Sequence, residues 1–344
     1  MPIKDRADLD WKSLPFGYIK AGINVRYVWR DGKWDDGVES DDEYLPLHIA
    51  ATCMHYGQAA FEGLKIYEAR DGRVLSFRVE ENAKRMEHSA HMMMMQAPPE
   101  ALFKSAVQRI VRANQRFIPP YGTGASLYVR PLLIGTGSRI GVRPADEYTF
   151  LILTVPVGPY FKSGFTPTKL IIDETRDRAA PQGMGSAKAG GNYAAGMRGT
   201  MEAKSKGYGE ALYLDAREHK YMEELGAANF FGITKDKRYV TPKSPAILRS
   251  ITNMSLRTLA ADMGYIVEER IVPVEELFEF VEAGACGTAA VITPIEAILF
   301  RGKEIVYLPD GKPGPHCTAL YKSLTEIQFG DAQDKYGWTE LVEV

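Results

Sequence analysis

In the stretch GMGSAKAGGNYAAG, residues 183–196, a single charged side chain, Lys188, lies among Gly, Ala and Ser. Small neighbours let a bulky ligand lie close to the backbone. Two readings are open: a solvated side chain in a loose loop, or an amine held against a ligand. A desolvated lysine has a lowered pKa, and only its neutral amine attacks a carbonyl, which is the requirement of Schiff-base chemistry. Gly190-Gly191 would admit a flat ligand, and Asn192-Tyr193 add polar groups one step further on. The stretch contains no GxxxxGK[ST], so it is not a phosphate-binding P-loop.

Glu223 and Glu224 are adjacent in YMEELGAANFF. Neighbouring strand residues face opposite ways, so one can point inward and the other, expected to be Glu223, toward water. A buried carboxylate opposite a pyridine nitrogen would keep that nitrogen protonated and make the ring an electron sink. Arg85, in ENAKRMEHSA, reads either as a solvated helix residue or as a phosphate ligand, since a guanidinium fork suits phosphate oxygens. RSITNMS (249–255) and CGTAAV (286–291) each place a small hydroxyl residue where a helix or turn begins, and the backbone N–H groups there attract anions. Tyr128 and Arg130, two apart in a strand, share one face and could await a carboxylate. HMMMMQ (91–96) reads as core filler at a helix end, and His91 and the His316-Cys317 pair have no partners at ligand spacing.

These side chains need a scaffold. The chain has 344 residues, room for two domains. It is 45% hydrophobic and 25% charged with formal net charge −2, which argues against a nucleic-acid or membrane-surface partner. MPIKDRADLDWKSL lacks an apolar signal core, and no stretch approaches a membrane span. Three scattered cysteines without CxxC fit a reducing compartment, with the cytoplasm as the expected location and no metal site.

Asp-Gly between alternating apolar positions predicts hairpins in NVRYVWRDGKWDD and KIYEARDGRVLSFRV. AATCMHYGQAAFEGLK reads as a short helix or turn; EENAKRMEHSAHMMMM and PEALFKSAVQRIVRANQRF have helical periodicity; ASLYVRPLLIG and EYTFLILTVPV read as strands. A Gly/Pro/Thr-rich connection at 158–169 separates a smaller N-terminal α/β domain (1–157) from a larger C-terminal domain (170–344). In the second, LIID, EALYLDA, YMEELG and NFFGITKD read as strands, and a helix is expected from about Tyr193 to Lys206. TNMSLRTLAADMG reads as a helix capped by Thr252, VEELFEFVEAG as another helix, and ACGTAAVITPI as a strand-to-turn element. The overall class is α/β (α+β), with a mixed, barrel-like sheet in the second domain rather than a doubly wound one.

HYGQAAFEGLKIY, AKRM, YVRPLL, VGPYF, KAGGNY, EELGAANFF, SIT and GTAAVITP occur in the order that characterises branched-chain amino-acid aminotransferases, pyridoxal-phosphate enzymes of fold type IV, and the chain resembles that family from about residue 55 to 294. The resemblance implies that Lys188 is the Schiff-base lysine, that Glu224 pairs with the pyridine nitrogen, and that Tyr193 lies near the cofactor's phenolic oxygen. It implies a phosphate cradle of Arg85, Ile251, Thr252 and Thr288. It places Tyr56, Tyr128, Arg130, Thr288 and Ala289 around the substrate carboxylates, and Phe61 and Tyr160 on the walls of the aliphatic pocket.

The implied reaction moves the amino group of L-leucine, L-isoleucine or L-valine to 2-oxoglutarate, giving the branched-chain 2-oxo acid and L-glutamate. The implied assembly is a homodimer or higher homo-oligomer whose site borrows residues across the interface. Two departures from relatives stand out: AAVIT where some carry CxxC, and Ala228 where others carry Glu or Met. The rival readings are another fold type IV enzyme, a D-amino-acid aminotransferase or aminodeoxychorismate lyase, and a non-catalytic binding protein that kept the fold; the last would lack the lysine or the carboxylate.

Overall fold

The structure, a computed structural model, describes residues 3, 5–158 and 165–344. The chain divides into two compact units. The first comprises the described residues through Gly158 with Ala187–Gly190 and Glu326–Val344; the second comprises Phe165 to Ser186 with Gly191–Thr325.

In the first unit the strands are β1 (Asn24–Arg30), β2 (Lys33–Trp34), β3 (Val38–Ser40), β4 (Ala59–Phe61), β5 (Leu64–Glu68), β6 (Val74–Phe77), β7 (Ser126–Gly135) and β8 (Tyr148–Val157). With the C-terminal strand Thr339–Leu341 they form one sheet, antiparallel throughout, in which β7 pairs with β4, β5 and β8. The β1–β2 turn carries Asp31 and Gly32 at φ 52° and 82°, the two left-handed positions that a tight hairpin of this sequence requires.

The helices of this part of the chain are α1 (Thr52–His55), α2 (Val79–Met92) and α3 (Glu100–Ala113). On α3, Phe103, Ala106, Val107, Ile110 and Val111 are buried, the i, i+3, i+4, i+7, i+8 stripe of an amphipathic helix. Phe103 stacks on Phe150 of β8 at 5.7 Å between ring centroids. The expected methionine run splits by position: Met93 and Met95 are buried, Met92 and Met94 exposed.

In the second unit the strands are β9 (Thr168–Asp173), β10 (Glu210–Leu214), β11 (Met222–Leu225), β12 (Asn229–Thr234), β13 (Arg238–Pro242), β14 (Ile266–Arg270), β15 (Phe280–Gly287), β16 (Val291–Phe300) and β17 (Lys303–Val306). Their order is β11-β10-β9-β16-β15-β12-β13-β14, and β11 pairs with β12 as well as β10, so six strands close on themselves. Parallel pairs (β9–β10, β9–β16, β13–β14) mix with antiparallel ones, as the barrel-like expectation requires. Leu170, Leu212, Leu225, Phe230, Ile295 and Ile298 belong to one buried cluster. The helices are α4 (Gly190–Ser205), α5 (Ile251–Asp262) and α6 (Pro315–Gln328). No helix among the described residues is long and apolar enough to cross a membrane.

Four local expectations are corrected. VEELFEFVEAG is not a helix: a 3-10 turn at Val274–Phe278 leads into β15, whose pairing with β12 and β16 overrides the helical spacing of its apolar residues. The cap of α5 is Ser250, whose hydroxyl accepts from the Asn253 N–H at 3.1 Å; Thr252 lies inside the first turn. Glu223 does not face water. Both it and Glu224 are 3% exposed: Glu223 meets the Ser244 hydroxyl, and Glu224 meets Arg178 and the Leu248 N–H. Helix α4 begins three residues earlier than expected, at Gly190.

Candidate active site

In the first unit the site is built on α2 and the turn after β4. Asn82, Arg85 and Ser89 lie at i, i+3 and i+7 on α2, hence on one face. The Ser89 hydroxyl accepts the Lys188 backbone N–H at 2.8 Å. The Phe61 N–H donates to the Lys188 carbonyl at 3.1 Å, and Ala189 bridges to Ala60. Lys188 is therefore held on both sides by backbone contacts, and its Nζ lies 4.7 Å from the centroid of the Phe61 ring. Burial, and after it the positive charge of Arg85, pull the Lys188 amine down to about 8, with the Glu62 carboxylate pulling the other way.

Arg85 is buried and is not a solvated helix residue. Its Nε and Nη2 each donate to Glu62 at 2.7 Å, one to each carboxylate oxygen, and Asn82 Nδ2 donates to the same carboxylate at 2.7 Å. Glu62 is completely buried. The expected anion ligand is thus already charge-paired on one side of its fork.

Tyr128 and Arg130 share a face as their spacing requires: the guanidinium donates to the Tyr128 hydroxyl from Nη2 at 2.9 Å and from Nε at 3.3 Å. Arg130 also lies 4.6 Å from the Phe61 centroid, so one ring contacts both the arginine and the Lys188 amine. Gly63 permits this packing, since a Cβ there would collide with the Tyr128 hydroxyl. Tyr56 stands apart from this cluster. It is exposed, and its hydroxyl donates to the Ile140 carbonyl. Tyr160 lies outside the described residues.

In the second unit Glu224, on β11, is fixed from several directions. Oε1 accepts from the Leu248 N–H at 2.9 Å and faces Arg178 Nη2 at 2.7 Å, and Oε2 accepts from Asn229 Nδ2 at 2.9 Å. Asn229 also donates to the Leu248 carbonyl, which ties Glu224 to the loop that runs into α5 three residues later. Ile251 and Thr252 open that helix, and its first-turn N–H groups have no acceptor within the helix. Thr288 and Ala289 form the turn between β15 and β16; Cys286, one residue before Gly287, is opposite Asn229, which is opposite Glu224. Glu224, the start of α5 and the 288–290 turn therefore lie at one end of the closed sheet. Tyr193 lies on the first turn of α4.

Sequence reasoning missed Glu62, Asn82, Ser89, Arg178 and Asn229. The helical spacing of Asn82, Arg85 and Ser89 was a usable signal, because three polar residues on one buried helix face need partners. No local pattern distinguishes Arg178 from the charged residues around it.

The profile of the Amino-transferase class IV family matches residues 59–298. A branched-chain-amino-acid aminotransferase of Haemophilus influenzae is 47% identical over 98% of this chain and 99% of its own length. One from Helicobacter pylori is 44% identical over 96% of this chain and 97% of its own. Among solved structures, the branched-chain amino acid aminotransferase of Escherichia coli superposes with a TM-score of 0.77 at 27% identity, over 92% of this chain and 99% of that one. That of Thermobaculum terrenum, in its PLP-containing holo form, superposes with a TM-score of 0.75 at 26% identity, covering 93% of this chain and 99% of that one. A match of this extent, on a chain that holds a desolvated lysine amine on one unit and a charge-paired carboxylate on the other, leaves one assignment: the chain belongs to the class IV aminotransferase family.

Proposed function

We propose that the chain is a branched-chain-amino-acid transaminase, moving the amino group of L-leucine, L-isoleucine or L-valine reversibly to 2-oxoglutarate. The observation that carries the reading is the placement of Lys188, its backbone fixed by Ser89 and Phe61 and its amine set over the Phe61 ring, where burial and Arg85 lower its pKa. The relatives named above supply the substrate class.

Pyridoxal phosphate is the cofactor, and the donor set of this chain fits it: a neutralisable amine for its aldehyde, a buried carboxylate held ionised for its ring nitrogen, an arginine and helix-start N–H groups for its phosphate. When bound, it supplies an electron sink for the bond broken at the substrate's α-carbon. Lys188 Nζ would take the proton from that carbon and deliver it to the carbon of the cofactor's aldehyde, and with the 2-oxo acid acceptor would make the same two transfers in the opposite order. Arg85, the first turn of α5 at Ile251 and Thr252, and Thr288 would hold the phosphate. Tyr193 is assigned to the phenolic oxygen, and Glu224 to the ring nitrogen.

We assign a substrate carboxylate to Arg130, oriented by Tyr128, and to the N–H groups of Thr288 and Ala289; the family resemblance adds Tyr56, which in this chain stands apart with its hydroxyl on the Ile140 carbonyl. Phe61 is assigned to an apolar side-chain pocket, a role that the family resemblance also implies for Tyr160. A methylene in such a pocket is worth roughly 1–3 kcal/mol, so all three branched substrates are accepted. We assign the enzyme to the cytoplasm and to amino-acid biosynthesis, as a homodimer. Ile49, Met54, Tyr56, Ile140 and Val142 are exposed apolar side chains of the first unit, drawn together by the Tyr56–Ile140 bond and the pairing of Ala51 with Ser138, and a second copy of the chain would cover them.

A substrate panel on the purified holoenzyme tests the reading. Turnover of L-leucine, L-isoleucine and L-valine with 2-oxoglutarate, and none of D-alanine, is the expected result; turnover of D-alanine alone would replace the reading with that of a D-amino-acid aminotransferase.

A further inference from the structure

Arg178 is 6% exposed and lies in the segment between β9 and Lys188, outside every motif that the sequence singles out. It faces Glu224 Oε1 at 2.7 Å and donates to the carbonyls of Gly185, at 3.1 Å, and Ala246. Gly185 and Ala246 are packed so tightly that a Cβ on Gly185 would strike the Ala246 carbonyl. One buried cation thus joins the 178–185 segment, the loop before α5 and the carboxylate of β11.

Two buried glutamates are within the influence of that cation, and it pairs with Glu224 rather than with its neighbour. Glu223 takes the Ser244 hydroxyl at 2.6 Å, its other oxygen has no partner among the described residues, and burial pushes its carboxyl up, against the pull of Ser244 and Arg178. Glu224 has the ion pair, the Leu248 N–H and the Asn229 amide, all of which favour the charged form.

We infer that Arg178 decides where the proton between Glu224 and the cofactor's ring nitrogen rests: by holding Glu224 as a carboxylate, it leaves that proton on the nitrogen. The inference depends on the reading of Glu224 as the partner of that nitrogen. A buried carboxylate without a cation regains its proton, because desolvation disfavours its charge. The nitrogen would then face a neutral acid, and the ring would be a weaker electron sink. Arg178 touches neither substrate nor reacting atoms; it is a positioning residue acting through Glu224.

The test is nitrogen NMR of the holoenzyme carrying pyridoxal phosphate labelled with ¹⁵N in the ring, for the unaltered chain, Arg178→Gln, Arg178→Lys and Glu224→Gln. Gln keeps N–H donors for the two carbonyls and removes the charge; Lys keeps the charge. The unaltered chain and Arg178→Lys are expected to show a pyridinium nitrogen, and Arg178→Gln a nitrogen that has lost more than half of its proton occupancy. A pyridinium signal in Arg178→Gln equal to that of the unaltered chain overturns the inference. So does loss of the proton in a folded Arg178→Lys, which keeps the test decisive if Arg178→Gln does not fold. If Glu224→Gln keeps its pyridinium, or the unaltered chain lacks one, the reading of Glu224 itself fails, and the inference with it.

Discussion

Glu62 takes both arms of the Arg85 guanidinium, Nε on one carboxylate oxygen and Nη2 on the other, while Arg85 and Glu62 act with opposite sign on the Lys188 amine. The pair therefore fixes the arginine's orientation and tempers its effect on the lysine. Asn82 on the preceding turn of α2 completes the carboxylate's partners.

Glu62→Gln should be severe. It leaves a buried guanidinium facing an amide that cannot accept both arms, and breaking one side of a buried pair costs about 3–5 kcal/mol. Denaturant unfolding of the apoenzyme measures this, and a change below about 0.5 kcal/mol would show the pair to be dispensable. The Lys188 amine should also fall below its present value, since the carboxylate that raises it most is gone.

Lys188 carries a pH signature of its own. Its folded value, about 8, is below the ordinary 10.5, so the unfolded chain binds this proton more tightly than the folded one. Relative to Lys188→Ala, the unaltered chain should gain stability as pH rises from about 8 toward 10.5, and carry the full penalty below 8. A difference between the two melting curves that is flat over that window would remove the shift. Lys188→Ala should also lose transamination while still folding; a tenth of normal turnover remaining would take Lys188 out of the mechanism.

Arg85 and Arg130 should fail differently. Arg85→Ala removes a charge-assisted contact worth about 1.5–3 kcal/mol, so cofactor affinity should fall roughly 10- to 150-fold and excess pyridoxal phosphate should restore part of the activity. Arg130→Ala should keep the cofactor and raise KM, more for 2-oxoglutarate and glutamate than for leucine, because only those carry a second carboxylate. Equal weakening of leucine and glutamate would remove Arg130 from the recognition of the acidic substrates.

The neighbouring glutamates offer the fourth contrast. Glu224→Gln gives up the Arg178 ion pair and should slow proton abstraction by on the order of 10²-fold or more. Glu223→Gln should be nearly silent despite its burial, because burial raises the Glu223 carboxyl and Gln is close in shape to the protonated acid. Single-turnover rates with leucine decide the matter, and reversed effects would exchange the two roles.

Much of this site was legible in the residues themselves. Lys188 among small residues, Glu224 before LGAANFF, and Tyr128 with Arg130 at strand spacing are local patterns, and motifs in a fixed order identify the family before any fold is known. The hairpin at Asp31-Gly32 and the amphipathic stripe of α3 follow from backbone and solvation rules that act within a few residues. Pairing between distant strands has no such local trace. The structure alone shows that 280–287 is a strand, that Glu223 is buried beside Glu224, and that Arg85 is bound to Glu62 and Arg178 to Glu224. Residues 23 and 46 positions apart in the chain become ion-pair partners only when the fold excludes water from both and sets the opposite charges side by side. The sequence by itself determined which groups are the candidates for the chemistry; the tertiary structure decided which charges stand beside them, because desolvation and Coulomb attraction act through space.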